Sequence, residues 1–148
     1  MNIFVTVGTT KFDSLIETVD LISFLNEHEV TYQISNGNYH PKNGIFFKFT
    51  EDLNQIIDSS DLIITHAGAG SIYSLLESGK KLIVAPNLER VDKHQLEIAQ
   101  YCFEKNYCSV AFELSDLSNL IELSQSKVFA KYVKDEFFLT SHIAALCD

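Results

Sequence analysis

Arginine is almost missing from this sequence: Arg90 is the only one, and 11 basic side chains stand against 20 acidic ones for a net charge of −9. Neutralising phosphates supplies most of the affinity of nucleic-acid-binding proteins, so DNA and RNA are excluded as partners. The same balance excludes a polybasic anchor on lipid headgroups. Cysteine is scarce as well. Cys102, Cys108 and Cys147 are odd in number and form no C-x-x-C pair, which points to reduced thiols in a cytoplasmic protein. His28, His40 and His142 have no partners at metal-ligand spacing, so no metal site is expected. No apolar run approaches the roughly 20 residues that cross a bilayer. Met1-Asn2-Ile3-Phe4-Val5 has no basic leader and runs into a glycine, so it reads as a first strand and not as a signal peptide. Any work at a membrane is expected to go through a partner.

What is present is a core. The 148 residues suffice for one domain, and 46% hydrophobic with 21% charged side chains is ordinary for a globular chain. Ile3 to Val7 is apolar throughout, as befits a central strand of a parallel sheet covered on both faces. Leu15, Ile16, Val19, Ile22 and Leu25 recur at helical spacing, with Asp13 or Ser14 as cap. Further strands are expected at 30–34, 45–49, 62–65, 82–85 and 109–112. Helices are expected around Leu53 to Ile57, from Ser71 to about Ser78 with Gly79 as its stop, over Leu96, Ile98, Ala99 and Phe103 facing inward, and after a Ser115-Asp116 cap. The stretch from Val128 to Leu146 carries Phe129, Tyr132, Val133, Phe137, Phe138 and Ile143 and reads as an amphipathic helix. Alternating strands and helices predict a single α/β domain over 1–148, a doubly wound, mostly parallel sheet with helices on both faces. Ligands of such sheets sit at the carboxyl ends of the strands.

Three loops at expected strand ends stand out: Gly8-Thr9-Thr10, His66-Ala67-Gly68-Ala69-Gly70-Ser71, and Asn87 to Gln95. In the second, two glycines admit a ligand close to the backbone. The helix start near Ser71 offers free amides and the positive end of a dipole, a combination that favours phosphate oxygens. A tight turn with a capping serine would read the same way. The loop is neither a Walker loop nor a dinucleotide G-x-G-x-x-G, since Tyr73 follows Gly68-x-Gly70 where a glycine would be needed.

"GTTKFDSLI" from Gly8, "ITHAGAGSI" from Ile64 and "GKKLIVAPNLERVDKHQLEIA" from Gly79 together resemble the C-terminal-domain family of glycosyltransferase family twenty-eight. That family includes the donor half of MurG and the small subunit of the two-subunit transferase that adds the second N-acetylglucosamine to dolichol-linked oligosaccharide. Small subunits of bacterial exopolysaccharide and capsule transferases belong to it too. The resemblance implies the C-terminal half of a GT-B fold that binds a UDP-sugar donor without a cofactor. It implies docking on a membrane-anchored acceptor subunit, which brings a lipid-linked acceptor to the inner face of the membrane. No D-x-D pair occurs for the metal-dependent alternative, so the diphosphate charge would fall to helix amides.

Carried over position by position, the resemblance implies that Gly8, Thr9 and Thr10 face the diphosphate and that His66, Gly68, Gly70 and Ser71 hold it. His94 and Gln95 would reach the sugar hydroxyls, with Asn87 and Asp92 nearby. Relatives carry a ribose-binding glutamate where this chain has Ser74; Glu77 lies three residues on, one turn further along the same side of the helix. Either Glu77 reaches over or ribose is held by Ser74 and main chain. The catalytic base is not assigned, because in a GT-B cleft it comes from the opposite domain. The aromatic-rich stretch from Val128 would dock on the partner, on a second copy as a homo-oligomer, or on its own sheet. Arg90 would pair a uronate or face solvent. Two other readings remain: a non-catalytic nucleotide-sugar-binding regulatory module, and an epimerase-like enzyme using the Y-x-x-x-K spacing of Tyr101 and Lys105.

Overall fold

The computed structural model describes residues 1–89 and 94–133. Six strands, β1 (Asn2–Thr6), β2 (Glu29–Gln33), β3 (Ile45–Phe47), β4 (Leu62–His66), β5 (Lys81–Ala85) and β6 (Ser109–Val110), form one sheet in the order β3-β2-β1-β4-β5-β6. Every pairing is parallel. Helices α1 (Asp13–Asp20), α2 (Leu53–Ser59), α3 (Ala69–Glu77), α4 (His94–Glu104) and α5 (Leu117–Leu123) cover it, with 3-10 turns at Ser23–Glu27 and Leu114–Asp116. The order reverses between β1 and β4, so the loops leaving those two strands diverge and open a crevice.

Successive side chains of each strand alternate between two cores. Ile3, Val5, Val30, Tyr32, Ile64 and Ile83 pack with α1 and α5, through Leu15, Ile16, Val19, Leu117 and Ile121. Phe4, Ile63, Leu82 and Val84 pack with α3 and α4, through Ile72, Leu76, Ile98, Ala99 and Cys102. Both faces are therefore covered, and the apolar runs of the sequence are strands buried on two sides. The expected doubly wound α/β sheet is what forms.

Local departures have local causes. Helix α1 takes Phe12, not Asp13 or Ser14, at its cap position. The Asp13 carboxylate instead accepts the Asn38 amide at 3.1 Å, and Ser14 Oγ reaches Glu89 at 2.5 Å. Helix α3 starts at Ala69, two residues before Ser71, with Gly68 at its cap position. It ends as expected, Gly79 taking a φ of +78° beyond Ser78 and donating to Leu76 O. The strands expected to reach Phe49 and Phe112 stop at Phe47 and Val110. In α4, Ile98 and Ala99 face inward, but Leu96 and Phe103 are exposed and the inward positions are completed by Gln95 and Cys102. Residues 127–133 have no regular structure, so no helix begins at Val128; residues 134–148 of that stretch lie outside the described residues.

Candidate functional site: a cleft at the reversal of strand order

A cleft of about 390 Å³ opens at the carboxyl ends of β1, β2 and β3, between α2 and α3. Its lining combines apolar side chains, Phe4, Phe49, Leu53, Ile57 and Leu75, with the small or polar residues Thr6, Gly8, Thr9, Gln33, Gly70, Ser71 and Ser74. Of the site residues expected from sequence, Gly8, Thr9, Gly70, Ser71 and Ser74 therefore converge on one cavity. Because α3 begins early, Ser71 lies in its first turn and lines the cleft. The first hydrogen bond of that helix is Ile72 N to Gly68 O at 2.9 Å, which leaves the N-terminal amides of α3 outside the helical ladder.

His66 ends β4 and packs between the two glycine loops. A Cβ on Gly8 would lie 2.5 Å from His66 Nε2, and one on Gly68 would collide with the imidazole Cε1. Gly8 also takes a φ of +68°. The glycines thus let the imidazole lie between the loops leaving β1 and β4. Gly70, by contrast, has open space around it and keeps the backbone low at the mouth of the cleft.

Gln33, at the end of β2, was not singled out by the sequence, yet it organises this rim. Its Nε2 donates to Gly8 O at 2.7 Å and to Lys48 O at 2.9 Å, while its Oε1 accepts from Gly8 N at 3.1 Å and from Thr6 Oγ1. Ser35 Oγ donates to Thr9 O at 3.0 Å. The only sequence signal was a glutamine in an otherwise β-forming run. Thr65 is in register with Thr6, and among the described residues its buried hydroxyl has no hydrogen-bond partner.

Several expected ligands take other roles. Gln95 is buried, and its Oε1 accepts from Ala67 N at 3.3 Å and Asn87 N at 2.9 Å. That oxygen ties the β4 loop, the β5 loop and α4 together; the expected reach to a sugar hydroxyl is not its arrangement here. Asn87 is buried as well, closing a turn by accepting Glu89 N at 3.1 Å. His94 begins α4 and Thr10 is exposed, and neither lines the cleft. Asp92 and Arg90 lie outside the described residues. Ser74 lines the cleft, whereas Glu77 lines a separate cavity with Lys80, Tyr107 and the 125–132 segment. Tyr101 and Lys105 sit near the end of α4, the ammonium 5.9 Å from the ring centre, and neither touches the cleft.

Among the described residues no three His, Cys, Asp or Glu side chains gather in a way that could hold a metal ion. None of the described helices is long and apolar enough to cross a membrane.

The model of the "Glycosyltransferase family 28 C-terminal domain" matches residues 2–130. The UDP-N-acetylglucosamine transferase subunit ALG13 of Homo sapiens is 37% identical over 123 residues, covering 72% of this chain and 11% of that protein. The subunit of the same name from Yarrowia lipolytica is 33% identical over 121 residues, covering 72% of this chain and 62% of that protein. The chain thus spans about a tenth of the human relative and less than two thirds of the yeast one. In fold, it is similar to the solution structure of ALG13, with a TM-score of 0.64 at 23% identity over 98% of this chain and 94% of that one. It is also similar to MurG of Acinetobacter baumannii, with a TM-score of 0.63 at 20% identity over 82% of this chain and 40% of that one. The match over 2–130, on the fold and the loops described above, shows that the chain belongs to the glycosyltransferase family 28 C-terminal-domain family.

Proposed function

We propose that this chain is the donor-binding subunit of an inverting, UDP-sugar-dependent glycosyltransferase that works with a membrane-associated acceptor subunit on a lipid-linked or polysaccharide acceptor. One observation carries the reading: the cleft at the reversal of strand order brings the Gly8-Thr9 loop and the Gly70-Ser71 start of α3 together with the apolar Phe4, Phe49, Leu53 and Ile57. A flat base fits against Phe4, Phe49 and Leu53, with its ribose near Ser74. A diphosphate fits between Gly8-Thr9 and the first turn of α3, where amides and the positive end of the helix dipole favour negative charge.

In the transfer itself, an acceptor hydroxyl attacks the anomeric carbon of the donor, its C–O bond forms, and the bond to the β-phosphate breaks as the nucleoside diphosphate leaves. The α3 amides and the Ser71 hydroxyl stabilise the charge that grows on the leaving diphosphate, a contribution of about 3–4 kcal/mol for a well-aimed donor. The base that takes the acceptor proton belongs to the partner subunit. The names of the relatives make UDP-N-acetylglucosamine the first donor to test.

The test has two arms. In calorimetric titration the chain is expected to bind UDP and UDP-N-acetylglucosamine, and to bind ADP less tightly; no response to UDP would contradict the donor site. Co-expression with a membrane-anchored acceptor subunit and a panel of UDP-sugars is expected to give transfer that neither subunit gives alone. Steady turnover by the purified chain alone would contradict the division of labour. Binding without transfer in the complex would favour the regulatory reading, in which Ser74 in place of the glutamate of relatives marks a module that holds the donor without turning it over.

A further inference from the structure

Two side chains at the end of β2 decide the direction of the backbone at the end of β1. Gln33 Nε2 holds the carbonyl of Gly8 at 2.7 Å, and Ser35 Oγ holds the carbonyl of Thr9 at 3.0 Å. In a trans peptide the C=O and the following N–H point in opposite directions. Pulling the Gly8 carbonyl toward β2 therefore turns the Thr9 N–H away from β2, toward the side where α3 begins. Fixing the Thr9 carbonyl sets the next amide in the same way. Gly8 N is already taken by Gln33 Oε1 at 3.1 Å and Thr6 Oγ1 at 3.3 Å, so the same amide side chain fixes both polar groups of Gly8.

Both anchors are costly to place, which argues that they are more than surface decoration. Gln33 is 6% exposed and Ser35 is 0% exposed. Ser35 also holds a φ of +55°, a left-handed conformation that a residue with a Cβ seldom adopts. Strain of this kind persists only where surrounding structure enforces it, and it clusters at ligand clamps.

We propose that Gln33 and Ser35 are positioning residues for the diphosphate: without being catalytic, they aim the Thr9 amide at the phosphate oxygens of the donor. The proposal rests on the donor-site reading above. Their effect belongs to the diphosphate and leaves the nucleoside side of the cleft alone.

The test compares the affinities of UDP and uridine for the full chain, the wild type giving the reference ratio. Gln33→Leu is expected to weaken UDP about five- to tenfold, the scale of one ordinary hydrogen bond, and to leave uridine within twofold. Ser35→Gly removes the hydroxyl while relieving the positive φ, so it keeps the fold and is expected to shift the same ratio in the same direction. Gln33→Glu supplies a conservative rescue. As a carboxylate it repels the carbonyls of Gly8 and Lys48, but once protonated it can donate again, so its UDP affinity relative to wild type is expected to recover as pH is lowered. An unchanged UDP-to-uridine ratio in Gln33→Leu and Ser35→Gly would overturn the positioning role while leaving the donor site intact. A wild type that binds uridine and UDP equally would overturn the donor-site reading, and this inference with it.

Discussion

At the scale of single residues, three glycines of similar appearance carry three different demands. Gly8 needs both a positive φ and room for the His66 ring; Gly68 needs only the room; Gly70 needs neither. Gly8→Ala is expected to lower stability by about 1–3 kcal/mol, from left-handed strain together with displacement of the imidazole. Gly68→Ala should cost less, since a shift of His66 relieves it. Gly70→Ala, at an exposed helical position, is expected to leave stability unchanged or raise it by up to about 1 kcal/mol while weakening UDP binding, because a methyl then stands at the cleft. Urea unfolding beside UDP titration checks the series, and equal losses in all three variants would contradict this division. None of these differences is legible in "VGTT" and "THAGAGS", where the three glycines look interchangeable. What separates them is the side chain packed against each, which only the fold supplies.

At the scale of elements, the strands were legible because burial on both faces writes them as short apolar runs. The helix starts were less so. Asp13 and Ser14 have capping chemistry, but each finds a better partner across the fold, in Asn38 and Glu89. Gln95 was legible as a special residue, but its bonds to the Ala67 and Asn87 amides were not: position in sequence does not say which side of α4 meets the sheet. Gln95→Leu leaves the amides of Ala67 and Asn87 without this acceptor and is expected to cost about 1–3 kcal/mol. Gln95→Glu keeps an acceptor oxygen and should cost less. The segment between β2 and β3 has a similar anchor in Asp20 at the end of α1, buried at 3% exposure. Burial alone would push its carboxyl up, but bonds from Tyr39 and from the amides of Lys42 and Asn43 together hold it below the usual carboxylate range. The Tyr39 phenol is pushed up to about 12, first by its hydrogen bond to Asp20 and then by burial and the nearby charges of Asp20 and Glu17. The two signs are opposite. The Asp20 contribution is present above its unfolded pKa and lost as pH falls through the folded value. The Tyr39 contribution is full below the ordinary phenol value of 10.0 and lost as pH rises through about 12. Asp20→Asn is expected to flatten both limbs of a stability–pH curve and to return one phenol toward its ordinary titration. A curve unchanged at both ends would show that the anchor contributes nothing.

At the scale of the whole molecule, the two ends of the sheet do different work. The carboxyl end carries the cleft proposed for the donor. The opposite end carries a second cavity of about 430 Å³, lined by Glu77, Lys80, Lys81, Tyr107 and the 125–132 segment. That segment is held to its own domain. Lys81 Nζ donates to Ser124 O and Gln125 O at 3.1 Å, Ala130 N donates to Asn106 O at 2.8 Å, and the Tyr132 ring lies 5.9 Å from Tyr73 and 5.2 Å from Tyr107. Tyr73 belongs to α3, so the segment braces the same helix whose first turn lines the cleft. Two truncations separate bracing from docking. Ending the chain after Lys127 removes the Tyr132 contacts and is expected to lower stability by about 2–4 kcal/mol. Ending it after Val133 keeps these Tyr132 contacts, and capture of the acceptor subunit is expected to be lost. Val128 and Val133, 87% and 70% exposed, then remain as apolar surface beside the cut. A shorter chain that unfolds like the wild type would show that the segment does not brace α3. Retained capture after the cut at Val133 would move the docking surface back onto the described domain, with those two valines as its first candidates.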